Sequence, residues 1–167
     1  MRRMWFIAPM RSGPLAITVL VLILLAGCVQ GDGNGSAGAA SANSLTGLYE
    51  GGTGPRRDQL CLIEKDGRSS FGFVRWGPGD RNCSGSGPAV REGDRLRLML
   101  DGDASCTIEA RIDGSSITFP SSLGSECRRY YCGDGADLAG AVFARTGESE
   151  ADARRAVDLV GDPLCPG

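Results

Sequence analysis

Through the central part of the chain, apolar and polar side chains alternate with a period of two, and Asp-Gly dipeptides interrupt the alternation. In an extended strand successive side chains point to opposite faces, so this period predicts antiparallel strands with one face turned to a core. The turn dipeptides divide the run into hairpins whose registers follow from requiring that apolar residues meet apolar residues. Pairing Arg95 to Asp101 with Ser105 to Ile112 around Gly102 to Ala104 sets Leu100 opposite Cys106, Leu98 opposite Ile108 and Leu96 opposite Ala110. A turn centred on Asp113-Gly114 sets Ala110 opposite Ile117, Ile108 opposite Phe119 and Cys106 opposite Ser121. A turn at Asp66-Gly67 sets Leu62 opposite Phe71 and Leu60 opposite Phe73.

Further strands are predicted at Thr46 to Glu50, Pro88 to Arg91 and Ala136 to Arg145. The fold class is therefore all-β: a small antiparallel meander of about eight strands, a barrel or a sandwich. After it the period changes. From Ser149, with Glu150 and Asp152 in the first turn, the spacing of Ala153, Ala156, Val157 and Val160 predicts a short C-terminal helix, ended by Gly161 and Pro163.

The N-terminal stretch follows neither pattern. Arg2, Arg3 and Arg11 precede a predominantly apolar run from Leu15 to Leu25, followed by small residues. That is the layout of a secretory signal. The run is about half the roughly 20 residues a membrane-spanning helix needs, which favours a removed leader over a permanent anchor. Leu25, Ala26, Gly27 and Cys28 resemble the lipobox of bacterial lipoproteins. The resemblance implies cleavage before Cys28, acylation of that cysteine and a cell-envelope location, anchored to the membrane by lipid. Val29 in the next position is similar to the pattern that sends such proteins to the outer membrane, facing the periplasm. Residues 29–44 are rich in Gly, Ser, Ala and Asn, with almost no bulky side chain to bury, and read as a flexible tether reaching about 20 to 25 Å. The expected organisation is a leader over 1–27, an acylated cysteine and linker over 28–44, and a disulfide-stapled β domain over 45–167.

Charge narrows the partners. The chain carries 18 Lys and Arg against 20 Asp and Glu, and loss of the leader removes three arginines and no acid. An acidic exported domain lacks the electrostatic footprint of a nucleic-acid binder. Lys65 is the only lysine and there is no histidine, which excludes serine-histidine-acid catalysis and histidine-ligated metal.

Besides Cys28 there are six cysteines: Cys61, Cys83, Cys106, Cys127, Cys132 and Cys165. An even set in an exported chain predicts three disulfides rather than a metal site, which would want C-x-x-C spacing. The hairpin register brings Cys106 near the segment leading to Cys127, which favours that pair. Chain proximity then leaves Cys61 with Cys83 and Cys132 with Cys165, the close Cys127 and Cys132 being the alternative. With the thiols oxidised, carboxylates are the remaining catalytic material. Asp101 and Asp103 fall in a predicted hairpin loop where Asp is ordinary, and Lys65 lies beside a solvated turn. The expectation is a protein that is not an enzyme and carries no cofactor or metal.

Two segments read as contact surfaces. Trp76 heads a Gly- and Pro-rich loop running to Gly87, and Cys127 to Cys132 encloses Arg128, Arg129, Tyr130 and Tyr131. Aromatic residues and Arg are the types that dominate binding interfaces, so these five are the candidate binding residues. Ser84, Gly85, Ser86 and Gly87 are similar to the Ser-Gly-Ser loop motif of lipid-anchored inhibitors of C-type lysozymes, a family with an antiparallel barrel. Three functions follow: a binding or structural module of the envelope, a lysozyme-inhibitor-like protein, or a barrel carrying a small apolar ligand.

Overall fold

Eight antiparallel strands, each hydrogen-bonded to the next in the chain, form a meander that closes when the last returns to the first. They are β1 (Gly47–Gly51), β2 (Asp58–Lys65), β3 (Arg68–Trp76), β4 (Asn82–Glu92), β5 (Arg95–Met99), β6 (Thr107–Asp113), β7 (Ser116–Thr118) and β8 (Val142–Gly147). Helix α1 (Ser125–Tyr131) lies between β7 and β8, and α2 (Glu150–Ala153) follows β8. This computed structural model describes residues 43–102 and 106–165, so Cys28 and Asp103 lie outside the described residues. Closure makes the domain a barrel rather than a sandwich, each described strand being paired with a neighbour on both sides over at least part of its length.

Local sequence explains the pairing. Asp66 and Gly67 both take positive φ, 52° and 72°, as a two-residue turn of type I′ requires. Leu60 then faces Phe73 and Leu62 faces Phe71, as expected. Leu96 faces Ala110 and Leu98 faces Ile108, also as expected. The β6–β7 hairpin is two residues away from the expected register, with Asp113 facing Ser116 and Ile112 facing Ile117. Its turn begins on Gly114, at φ 57°, because only the first central position needs positive φ and the glycine takes it. A slip of two leaves every side chain on its intended face, so the core is unchanged.

The inward faces fill the barrel. Tyr49, Leu60, Leu62, Phe71, Phe73, Leu96, Leu98, Ile108, Ile117, Phe119 and Phe143 are all at most 2 % exposed and belong to one cluster. Phe73 meets Phe119 edge-on at 5.9 Å, and Phe119 meets Phe143 at 5.3 Å. Outward positions on β5 and β6 carry Arg95, Arg97, Glu109 and Arg111, and Arg97 pairs with Glu109 at 2.8 Å. An apolar lumen with a charged exterior is the reverse of a lipid-facing barrel.

A second apolar cluster lies outside the barrel. Leu48, Cys61, Ile63 and Val74 point outward from β1, β2 and β3, and the C-terminal segment covers them with Ala153, Ala156, Leu164 and Cys165. The expected helix there is shorter, four residues, closed by a capping box between Ser149 and Asp152. Ala153 and Ala156 are buried as expected, but Val157 and Val160 are exposed, Val160 to 82 %. The cause is Asp158, whose carboxylate accepts the N–H groups of Val160 and Asp162 and bends the chain into a turn.

Two other segments differ from expectation. The stretch from Trp76 to Gly87 is mostly strand, only residues 77–81 lying between β3 and β4. Gly85 and Gly87 mark close approaches rather than a loop: a Cβ on Gly85 would meet Leu100 at 2.7 Å, and one on Gly87 would meet the Met99 carbonyl at 2.0 Å. The strand expected from Ala136 starts only at Val142, although Ala136, Leu138 and Ala141 are buried in the connection before it.

Three disulfides form: Cys106–Cys127 as expected, with Cys61–Cys165 and Cys83–Cys132 in place of the other two expected pairs. Chain proximity misassigned them because Cys61 points to the outer cluster and Cys83 to the inner one. Side chains on opposite faces of a sheet cannot meet the geometry of a cystine.

Candidate functional site

Helix α1 has no side-chain N-cap and spans only seven residues, too short to persist by itself. Two disulfides hold it. Cys127, buried in the helix, joins Cys106 just before β6, and Cys132, at the C-cap, joins Cys83 on β4. Tyr131 faces inward, packs against the lumen cluster and donates its hydroxyl to the Asp101 carbonyl at 2.8 Å. The missing side chain of Gly85 makes room for it, since a Cβ there would come within 3.2 Å of the Tyr131 ring. With Cys127 and Tyr131 turned in, Arg128, Arg129 and Tyr130 are turned out, Tyr130 to 65 % exposure.

Beside them runs a polar groove of about 520 Å³, lined by Ser125, Arg128, Arg129, Gly133, Asp134 and Asp137 among others. Neither arginine is in an ion pair with a described residue.

Trp76 is elsewhere. It ends β3 on the outer wall and packs against the cluster under the C-terminal segment. The Arg56 guanidinium stacks 4.0 Å over its ring and reaches Asp80 at 2.7 Å. The Trp76 backbone N–H donates to the Asp58 carboxylate at 2.8 Å. The groove that Trp76 lines shares no residue with the one beside α1. The five candidate residues therefore divide: Arg128, Arg129 and Tyr130 are displayed together, Tyr131 anchors their helix, and Trp76 braces another wall.

Ser84, Gly85, Ser86 and Gly87 lie inside β4, paired with Val74, Gly72 and their neighbours on β3, so the loop implied by the resemblance to lysozyme inhibitors is a paired strand here. Among the described residues no three His, Cys, Asp or Glu side chains are grouped to hold a metal ion.

Sequence reasoning missed a larger groove of about 850 Å³ on the outer wall of β2, β3 and β4. Ile63, Pro88 and Val90 give it an apolar surface, Ser69, Ser70 and Ser86 supply hydroxyls, and Lys65, Arg68 and Arg91 set its charge against Asp101. Lys65 had been visible as the only lysine, but the arginines come from strands 23 positions apart in sequence, and only the pairing of β3 with β4 unites them.

No family model, curated protein or solved structure matches this chain.

Proposed function

We propose that the protein is a lipid-anchored envelope lipoprotein whose barrel is a rigid, non-catalytic scaffold for binding a partner through α1. The observation that carries this reading is the double cross-link of α1: a helix of seven residues, pinned at Cys127 and Cys132, presents Arg128, Arg129 and Tyr130 to solvent. Fixing these side chains before a partner arrives removes much of the ordering cost of binding, and Arg and Tyr are rich in contact area and donors. The partner's chemistry follows: a surface offering carboxylates or other acceptors beside an apolar patch for the Tyr130 ring. The filled lumen favours a scaffold over a carrier, because eight-stranded barrels that carry ligands keep room for them inside.

The anchor rests on the Leu25 to Cys28 motif, and intact mass of the mature protein tests it by showing a diacylated N-terminal Cys28. The binding face is tested by replacing Arg128, Arg129 and Tyr130 together with Ala, then comparing partner capture with thermal unfolding. Loss of capture at unchanged melting supports the reading. Unchanged capture contradicts it.

A further inference from the structure

The N-terminal root of the described domain is clamped to one end of the barrel. The Asn43 carbonyl accepts from Arg91, and the Ser44 and Thr46 carbonyls accept from Arg145 at 2.9 and 2.6 Å. Glu64 receives the Ser44 hydroxyl at 2.7 Å and the Leu45 N–H at 2.9 Å. Residues 29–42 are thus joined to the domain at the wall of the large outer groove, since Arg91 both lines it and holds Asn43. A Gly- and Ser-rich run of that length typically spans about 20 Å. If Cys28 is acylated, the groove lies within that reach of the bilayer.

The charge of the groove runs against that of the protein. Lys65, Arg68 and Arg91 line it, with Asp101 as the one acid among the described lining residues, in a chain with more acids than bases. Neither Lys65 nor Arg68 is in an ion pair with a described residue, although Asp66 sits in the turn between them and Glu150 is near enough to feel Lys65. Beside these cations Pro88 is exposed and Val90 is 41 % exposed, an apolar shelf bordering a cationic rim.

We infer that this groove docks on the membrane surface by binding the phosphates of anionic lipids with Lys65, Arg68 and Arg91, Val90 and Pro88 resting on the headgroup boundary. This deepens the lipoprotein reading, and rests on it for the bilayer's proximity. Docking by this end turns the groove wall to the bilayer and holds the domain close to it. Each cation near an anionic surface strengthens the contact about fivefold, so three can orient a tethered domain although none would hold it alone.

The test uses the exported chain with Cys28→Ala behind an ordinary cleavable leader, so that no acyl chain contributes. Its sedimentation is compared with vesicles of phosphatidylcholine alone and with about one third phosphatidylglycerol. The expected result is binding to the anionic vesicles only, lost in high salt. Lys65→Gln and Arg68→Gln should each lower the partition about fivefold, while Arg128→Ala with Arg129→Ala leaves it unchanged. No binding to anionic vesicles overturns the inference, as does an equal loss from the α1 arginines. The anchor is judged separately, from the intact mass of the unaltered protein, so an unacylated Cys28 would refute the anchor without deciding the groove.

Discussion

Replacing Cys61 and Cys165 together with Ala removes the cross-link that closes the longest loop, 104 residues, against 21 for Cys106–Cys127. In the chain-entropy account a loop near 100 residues contributes about 4.7 kcal/mol and one near 20 about 3.3 kcal/mol. Each pair also loses two buried sulfur atoms, a packing cost common to both, so the difference of about 1.4 kcal/mol reports loop length. The lost bond also frees the segment whose Ala153, Ala156 and Leu164 cover the outer cluster, so nothing covalent returns it to β2 once it lifts. Guanidinium unfolding of both Ala pairs and of the unaltered protein measures the effect. With a typical slope of about 4 kcal/mol per molar, the midpoint should fall by about 1 M for the Cys61/Cys165 pair and by less for Cys106/Cys127. A change below 1 kcal/mol, or a larger loss from the Cys106/Cys127 pair, would refute the reasoning. Non-reducing peptide mapping checks the premise, since a linked Cys61–Cys83 peptide would contradict the structure.

Gly72→Ala should loosen the same segment without touching a cysteine, because the new Cβ would lie 2.3 Å from the Leu164 carbonyl; overpacking of this kind costs about 1 to 3 kcal/mol, and an unchanged melting temperature would contradict it. Tyr131→Phe should cost about 1 kcal/mol through its hydrogen bond to the Asp101 carbonyl, while Tyr130→Ala should leave stability nearly unchanged, as thermal melts will show. The C-terminal segment should be acid-sensitive. Glu150 is held below its ordinary range by the Arg154 hydrogen bond, Asp152 by the Ser149 hydroxyl and Asp158 by the Val160 N–H. Depressed carboxylates stabilise the fold fully above their ordinary range and lose that effect as pH falls through the lowered values. Protection factors against hydrogen exchange at residues 149–164 should therefore fall in that acid window, and Asp158→Asn should flatten the response; pH-independent protection would count against it.

Where turn chemistry and face are both local properties, the strands could be read from the chain. Asp66-Gly67 specified the β2–β3 register, and the apolar residues of β5 and β6 found their partners by parity alone. The Gly114 turn shows the limit, since parity cannot distinguish registers two apart. Disulfide pairing was legible only for Cys106–Cys127, where the hairpin supplied a spatial argument; for Cys61 and Cys83 the deciding fact was which side of the sheet each faces. Helix α1 was hidden because its stability comes from two cystines and from Tyr131 seated beside Gly85, not from helix propensity. Its exposed residues were nonetheless recognisable by type. Trp76 was not separable from them, because an aromatic beside glycines reads alike whether it binds a partner or, as here, stacks under Arg56.

A photoreactive amino acid at position 130 in living cells, with another at position 113, the exposed last residue of β6, as reference, tests the binding face most directly. The account predicts a discrete adduct from position 130, lost when Arg128 and Arg129 become Glu, with none from position 113. Absence of any adduct at 130, or the same adducts from both positions, would contradict it.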